Sequence, residues 1–218
     1  MFKKWFGREP EKAPQAPQAP EIMGLRIGGA FELDSLKMRL IEPDLIIEGA
    51  ATTHLIQAVG EVKLDDTTTV LRYYTDDDGF IQVLLEGGMT ENHISDVKLW
   101  YFYDTQSISS KDQWDKVLSD TISQESITLE DHQFSPVWEN AAQEIAAPVA
   151  MSEKTYAQDG STSETDQFCM LYEREVKAEL FEYVMFSGEE KIIDNRADRC
   201  MVKMTGFDLQ PADLQIIG

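Results

Sequence analysis

The chain has 218 residues, 42% of them hydrophobic, with 40 acidic and 19 basic side chains and a net charge of −21. That length suits one large domain or two small ones, and it can bury roughly 70% of the unfolded surface without a metal or disulfide staple. Four of the basic residues fall in the first twenty, which leaves 15 basic and 38 acidic residues beyond them, a charge of −23; such a body repels phosphates and excludes nucleic-acid binding by the globular part.

Residues 1–23 read as a disordered tip and linker. Phe2, Trp5 and Phe6 sit among Lys3, Lys4 and Arg8, followed by a Pro/Ala/Gln repeat that favours an extended spacer. Aromatic plus basic is the composition of an interfacial anchor, so Phe2, Lys3, Lys4, Trp5 and Phe6 are the candidate contacts for a membrane or a partner. Eight residues bind a bilayer weakly, and a functionless start is the alternative. The opening lacks the apolar run of an export signal, and no stretch approaches the ~20 apolar residues of a membrane span. A cytoplasmic location, peripheral at the inner membrane if the tip binds there, is the expectation.

Residues 24–218 read as one globular domain. Residues 31–34 and 36–40 alternate apolar and polar and read as short strands. Leu45-Ile46-Ile47 reads as another, and residues 55–64 as a longer one closed by Asp65-Asp66. Residues 67–74 and 80–85 form a hairpin around Asp76-Asp77-Asp78-Gly79, ended by Gly87-Gly88. Val97, Leu99, Tyr101 and Tyr103 alternate with Lys98, Trp100 and Phe102, which predicts a central strand covered on both faces. Ser110 and Gln113 match a capping box ahead of a helix carrying Trp114, Val117, Leu118 and Ile122 on one face. Residues 124–148 are ambiguous, with Ser135-Pro136 able to open a short helix. Strands return at 149–156, 168–176, 180–186, 192–193, 200–207 and 214–217, with a polar loop at 158–166.

The class is therefore α+β and strand-dominated: antiparallel sheets from two β-meanders with one or two helices packed on them. Leu71-Arg72-Tyr73-Tyr74 and Leu171-Tyr172-Glu173-Arg174 open similar hairpins, and Gly88 and Gly188 follow at like spacing. Pseudo-repeats at 45–123 and 149–218 are one account of this. The generic likeness of antiparallel hairpins is the other.

The search for chemistry assigns no catalytic, cofactor-binding or metal residue. Asp76, Asp77 and Asp78 are consecutive, whereas calcium loops alternate their ligands. His54, His93 and His132 show no ligand spacing, and Glu130-Asp131-His132 reads as a solvated loop. Cys169 and Cys200 fall on apolar strand positions; buried thiols are expected there, with a redox role open if the two are neighbours on adjacent strands. Tyr73, Tyr74, Trp100, Tyr101, Phe102 and Tyr103 read as core and cross-strand pairs, with some members facing outward; an exposed binding platform is the alternative.

Leu25-Arg26-Ile27-Gly28 leading to Phe31-Glu32-Leu33-Asp34, then Arg72-Tyr73-Tyr74-Thr75, Gly87-Gly88, Asp104-Thr105-Gln106, Leu171-Tyr172-Glu173-Arg174 and the ending from Thr205-Gly206 to Ile217-Gly218 together resemble the YjfK-like family of uncharacterised bacterial proteins. The likeness runs over 24–218. It implies no activity, cofactor or catalytic residue. It does imply, by association, an accessory to membrane maintenance or stress, with a coiled coil similar to phage-shock protein A or small membrane proteins as partners. Two functions follow for test: a non-enzymatic interaction module, or a hydrolase or acid–base catalyst gathering acids around His54, His93 or His132.

Overall fold

The computed structural model describes residues 18–138 and 145–217. In chain order the elements are β1 (Ala30–Leu33), α1 (Ser35–Ile41), β2 (Thr53–Lys63), β3 (Thr68–Thr75), β4 (Gly79–Glu86), β5 (Ile94–Ile108), α2 (Lys111–Lys116), β6 (Ile127–Leu129), β7 (His132–Pro136), β8 (Val149–Ala157), β9 (Thr162–Lys177), β10 (Leu180–Ile193), β11 (Arg196–Asp208) and β12 (Leu214–Ile217). All strand pairs are antiparallel.

The hydrogen-bonded order β2-β3-β4-β5-β11-β10-β9 is completed by β8, which pairs with both β9 and β2. Eight strands thus close into a barrel, which removes the edges that an open sheet would expose. Each half of the chain supplies a four-stranded meander, β2–β5 and β8–β11. Gly88 lies beyond the end of β4 while Gly188 lies inside β10, so those two glycines do not occupy equivalent places. Two short ribbons flank the seam. β1 and β12 add to the first residues of β2, and the β6–β7 hairpin adds to β9 at Glu173.

Side chains alternate between the barrel interior and its outside. Inside, Phe80, Trp100, Cys169, Tyr183, Met185, Val202 and Met204 pack together. Outside β2–β5, a second core holds Val59, Leu71, Tyr73, Ile81, Val83, Leu99 and Tyr101 under Leu25, Phe31, Met38 and Ile41. Outside β9–β11, a third holds Met170, Tyr172, Val184, Phe186 and Met201 under Val117, Ile122, Ile127 and Phe134. Covered on both faces, β5 is buried from Val97 to Tyr101, with Lys98 accommodated by pairing to Asp96 and Asp208; beyond it Phe102 and Tyr103 are exposed. The packed body reaches back to Ile22, which is buried, and Pro20, whose carbonyl accepts from the Tyr73 hydroxyl. It therefore starts ahead of residue 24.

Three local readings are corrected. Residues 36–40 are helical, because the Asp34 carboxylate caps the backbone amides of Leu36 and Lys37; Met38 and Ile41 face the core at helical spacing, while Leu36 and Leu40 are exposed. Leu45-Ile46-Ile47 forms no strand. Instead the Ile46 amide donates to the buried Glu182 carboxylate, which also pairs with Arg174. Ser135-Pro136 belongs to β7, not to a helix start: Ser135 pairs with Glu173, and Pro136 ends the strand where it pairs with Tyr172; the rest of the expected run to Ala142 lies from residue 139 outside the described residues. Strand edges tolerate proline.

The helix expected after Ser110 is present. Ser110 caps the Gln113 amide, but the Gln113 side chain reaches one residue further back, to Ser109. After Lys116 the helix widens into a π turn over Val117–Thr121. Trp114 and Leu118 lie against β10 at Gly188, where a Cβ would meet Leu118 at 3.0 Å and Trp114 at 3.2 Å. The polar loop before β9 is short, since β9 already starts at Thr162.

Candidate functional site

The open end of the barrel nearest the β3–β4 turn forms a pocket of about 290 Å³. Every barrel strand contributes to it: Ala58 from β2, Arg72 and Tyr74 from β3, Phe80 from β4, Phe102 from β5, Glu153 and Thr155 from β8, Thr165 and Gln167 from β9, Glu189 from β10 and Met204 from β11. The mouth of a barrel is a common place for a ligand, because the strands converge there and fix the lining.

A buried ion pair forms the floor. Arg72 is 4% exposed and Glu153 2%. The Arg72 Nη1 donates to Glu153 Oε2 at 2.8 Å and to Gln167 Oε1 at 2.7 Å, and its Nε donates to Gln82 at 3.2 Å. Glu153 accepts further from the Tyr74 hydroxyl at 2.7 Å and from Gln167 Nε2 at 2.8 Å. Such a network is favourable only when its members are satisfied, as these are. Burial works against the Arg72 charge, but Glu153 together with Tyr74 and Cys169 outweighs it and holds the guanidinium firmly protonated. Burial, then the Glu153 charge, pushes the Tyr74 phenol well above its ordinary range, so it remains a donor.

Two glycines make this interior. Gly60 stands opposite Arg72 on β2 and leaves room for Glu153. Gly206 pairs with Trp100, and a Cβ there would come within 2.5 Å of the indole. The second wall is aromatic. Tyr74, Phe80 and Phe102 form a triangle with ring centroids 5.0, 5.8 and 6.5 Å apart, and Arg72 lies over the Phe80 face.

Glu189 is the odd member. It accepts a long hydrogen bond from Gln167 Nε2 at 3.4 Å and is hydrogen-bonded by the Ser187 side chain, and it has no ion pair of its own among the described residues. Burial raises its pKa above the ordinary 4.5, with the Glu153 charge adding to the rise and Ser187 and Arg72 opposing it. The mouth thus holds two carboxylates against one guanidinium. Tyr74 donates to Glu153, Cys169 donates to Ser187 at 3.5 Å, and burial raises the pKa of both groups.

The other sequence candidates lie apart from one another. His54 is buried at the start of β2, stacked on Phe31 at 4.7 Å, with Nδ1 3.9 Å from Asp77. His93 lies beside Gly87 and Gly88 beyond β4 and contacts the Thr90 hydroxyl at 2.7 Å. His132 is exposed where the β6–β7 hairpin turns, and its neighbours Glu130 and Asp131 adopt the positive φ of that turn. Asp76 and Asp77 serve as latches, accepting from the backbone amides of Leu55 and Ala51. Among the described residues no group of three or more His, Cys, Asp or Glu is placed to hold a metal.

The two cysteines are not on adjacent strands. Cys169 pairs with Ser187 and Cys200 with Glu189, so β10 runs between them. Two strand spacings and a two-residue offset along β10 put them more than roughly 10 Å apart, beyond the ~7 Å that a disulfide can bridge. The tip residues Phe2, Lys3, Lys4, Trp5 and Phe6 lie outside the described residues. Of the residues that form the mouth, Tyr74 and Phe102 stood in the sequence within the aromatic set, and Arg72 only as part of a strand motif. Glu153 fell in an expected strand, whereas Gln167 and Glu189 fell outside the expected strands, and none of the three carried a further signal.

A family model described as "Protein of unknown function (DUF2491)" matches residues 1–215. The chain belongs to this family. It is also 27% identical over 220 residues to the Escherichia coli (strain K12) protein named "Uncharacterized protein YjfK", covering 100% of this chain and 99% of that one. The family match therefore takes in the first 23 residues, which the sequence likeness had left out. No solved structure matches the chain. No helix among the described residues is long and apolar enough to cross a membrane.

Proposed function

We propose that this protein is a non-enzymatic binding module whose recognition site is the open barrel mouth. The observation that carries this reading is the convergence of all eight strands on one polar and aromatic pocket beside a packed cluster of Phe80, Trp100, Tyr183, Met185 and Met204. Retaining a buried Arg72–Glu153 pair there holds Tyr74 and Gln167 in place, which is the work of a shaped receptor. A Thr165→Trp substitution fills the mouth from a half-buried position. Quantitative pull-down from the source cell, with wild-type and Thr165→Trp proteins side by side, tests it. Partners lost on plugging support the reading; an unchanged partner set rejects it.

The sequence motivates attachment of this module to a membrane surface through Phe2, Lys3, Lys4, Trp5 and Phe6, in the service of membrane maintenance or stress. A phage-shock-protein-A-like coiled coil or a small membrane protein is the proposed partner. The basic-aromatic tip supports this, since anionic lipids attract lysines and the interface accepts tryptophan. Co-sedimentation with anionic vesicles, full length against a chain lacking residues 1–17, decides it. Equal sedimentation of the two would remove the tip from the account.

A further inference from the structure

The mouth is missing a positive charge, and its shape says which kind. We infer that the barrel mouth takes the alkylammonium group of a lysine side chain presented by a partner protein. This rests on the binding-module reading above and names its ligand.

Glu153 is already balanced by Arg72. Glu189 is not balanced, although it sits in the same pocket and is more than half-buried. Burying a carboxylate without a cation is costly, and an incoming ammonium removes that cost by pairing with it. The remaining walls suit the rest of a lysine. Tyr74, Phe80 and Phe102 offer an aromatic surface on which four methylenes can lie, and a cation near ring faces gains further from their quadrupoles. Thr155 and Thr165, in the same lining as Glu189, carry hydroxyl oxygens for the remaining ammonium protons. Phe102 is 41% exposed at the rim, so a side chain enters without unpacking the barrel. The −23 charge beyond residue 20 favours a basic partner and speeds its approach.

An anionic or neutral apolar occupant fits less well. A carboxylate or phosphate would face Glu153 and Glu189 with Arg72 already engaged at 2.8 and 2.7 Å. A purely apolar ligand would leave Glu189 buried and unpaired.

The test is calorimetric titration of the full chain with a short peptide of one lysine flanked by glycines and blocked ends, against the same peptide with acetyl-lysine, and against putrescine as a free diamine. Binding of the lysine peptide, lost on acetylation and weakened on the order of tenfold by Glu189→Gln, is expected. Phe102→Ala, at an exposed site, should weaken it as well, and it serves if Glu189→Gln misfolds by circular dichroism. Equal binding of the acetylated peptide, or of wild type and both variants alike, overturns the inference. Tighter binding of putrescine than of the peptide overturns the assignment to a protein side chain. If the lysine peptide fails to bind while Thr165→Trp still loses partners in the pull-down, the lysine assignment falls and the binding-module reading stands; if Thr165→Trp keeps its partners, that reading falls first.

Discussion

Gly60 and Glu153 divide a single space. A Cβ on residue 60 would sit 1.7 Å from Glu153 Oε1 and 2.7 Å from its carboxyl carbon, so the absence of a side chain on β2 is what allows the buried carboxylate to reach Arg72. Backbone and ion pair are thus one device at the base of the barrel mouth. Gly60→Ala is expected to expel Glu153 from the pair and to cost about 3–5 kcal/mol, the range for a broken buried salt bridge. Urea unfolding at neutral pH reads the loss; a stability within 1 kcal/mol of wild type would mean the pair has another geometry open to it.

Arg72 and Glu153 also predict a non-additive pair. Arg72→Met alone leaves a carboxylate buried without its cation and is expected to cost about 3–5 kcal/mol. Adding Glu153→Leu to it removes that orphan charge, so the double variant should be more stable than Arg72→Met. A double-mutant cycle from urea midpoints checks this. A double variant that loses the sum of both single losses would show that the two side chains act independently.

Glu189 carries a pH signature. Its folded pKa is raised above 4.5, chiefly by burial, so the folded state holds its proton more tightly than the unfolded chain. The stability from this group is full below the unfolded value and is lost as pH rises through the folded value. Glu189→Gln is therefore expected to be at least as stable as wild type at pH 7, with the advantage vanishing below pH 4.5. Thermal melts across pH 4–8 read it, and a variant less stable at neutral pH would contradict the account.

His54 runs the other way. Burial lowers its pKa, with the Asp77 charge and the Ala51 backbone opposing, and neither ring nitrogen completes a hydrogen bond. The folded state excludes the proton that the unfolded chain accepts near pH 6.5, so this stability is present above that value and is lost as pH falls through the lowered folded value. The expected result is a melting temperature that falls from pH 7 to pH 5 and a smaller fall in His54→Phe, which keeps the ring stacked near Phe31. An identical fall in both proteins would place the acid sensitivity elsewhere.

The thiols should be inert in the folded protein. Burial raises the Cys169 pKa and pushes Cys200 up to about 11, and β10 separates them. Alkylation at pH 8 followed by mass spectrometry should label Cys200 before the fully buried Cys169, both far more slowly than in urea. A disulfide-linked species after mild oxidation of folded protein would contradict the strand order.

Local chemistry carried much of this fold in plain view. The Asp76–Gly79 turn, the strands on either side of it and the Ser110 cap are set by neighbours in the chain, and each is where its residues place it. Period misled at 36–40, where the strict apolar–polar alternation fits a strand until the Asp34 carboxylate captures two amides. Closure was a different matter. Which edge of β2 meets β8, and that β10 should come between Cys169 and Cys200, depends on pairings across up to a hundred residues, and nothing in the alternation of β2 or β8 names its partner. The inward side of a strand and its outward side look alike in sequence when both are covered, as they are on β3 and β5. Only the tertiary structure could decide that Arg72, Glu153, Gln167 and Glu189, far apart along the chain, point into the same small volume, because what unites them is the curvature of a sheet that returns to its own first strand.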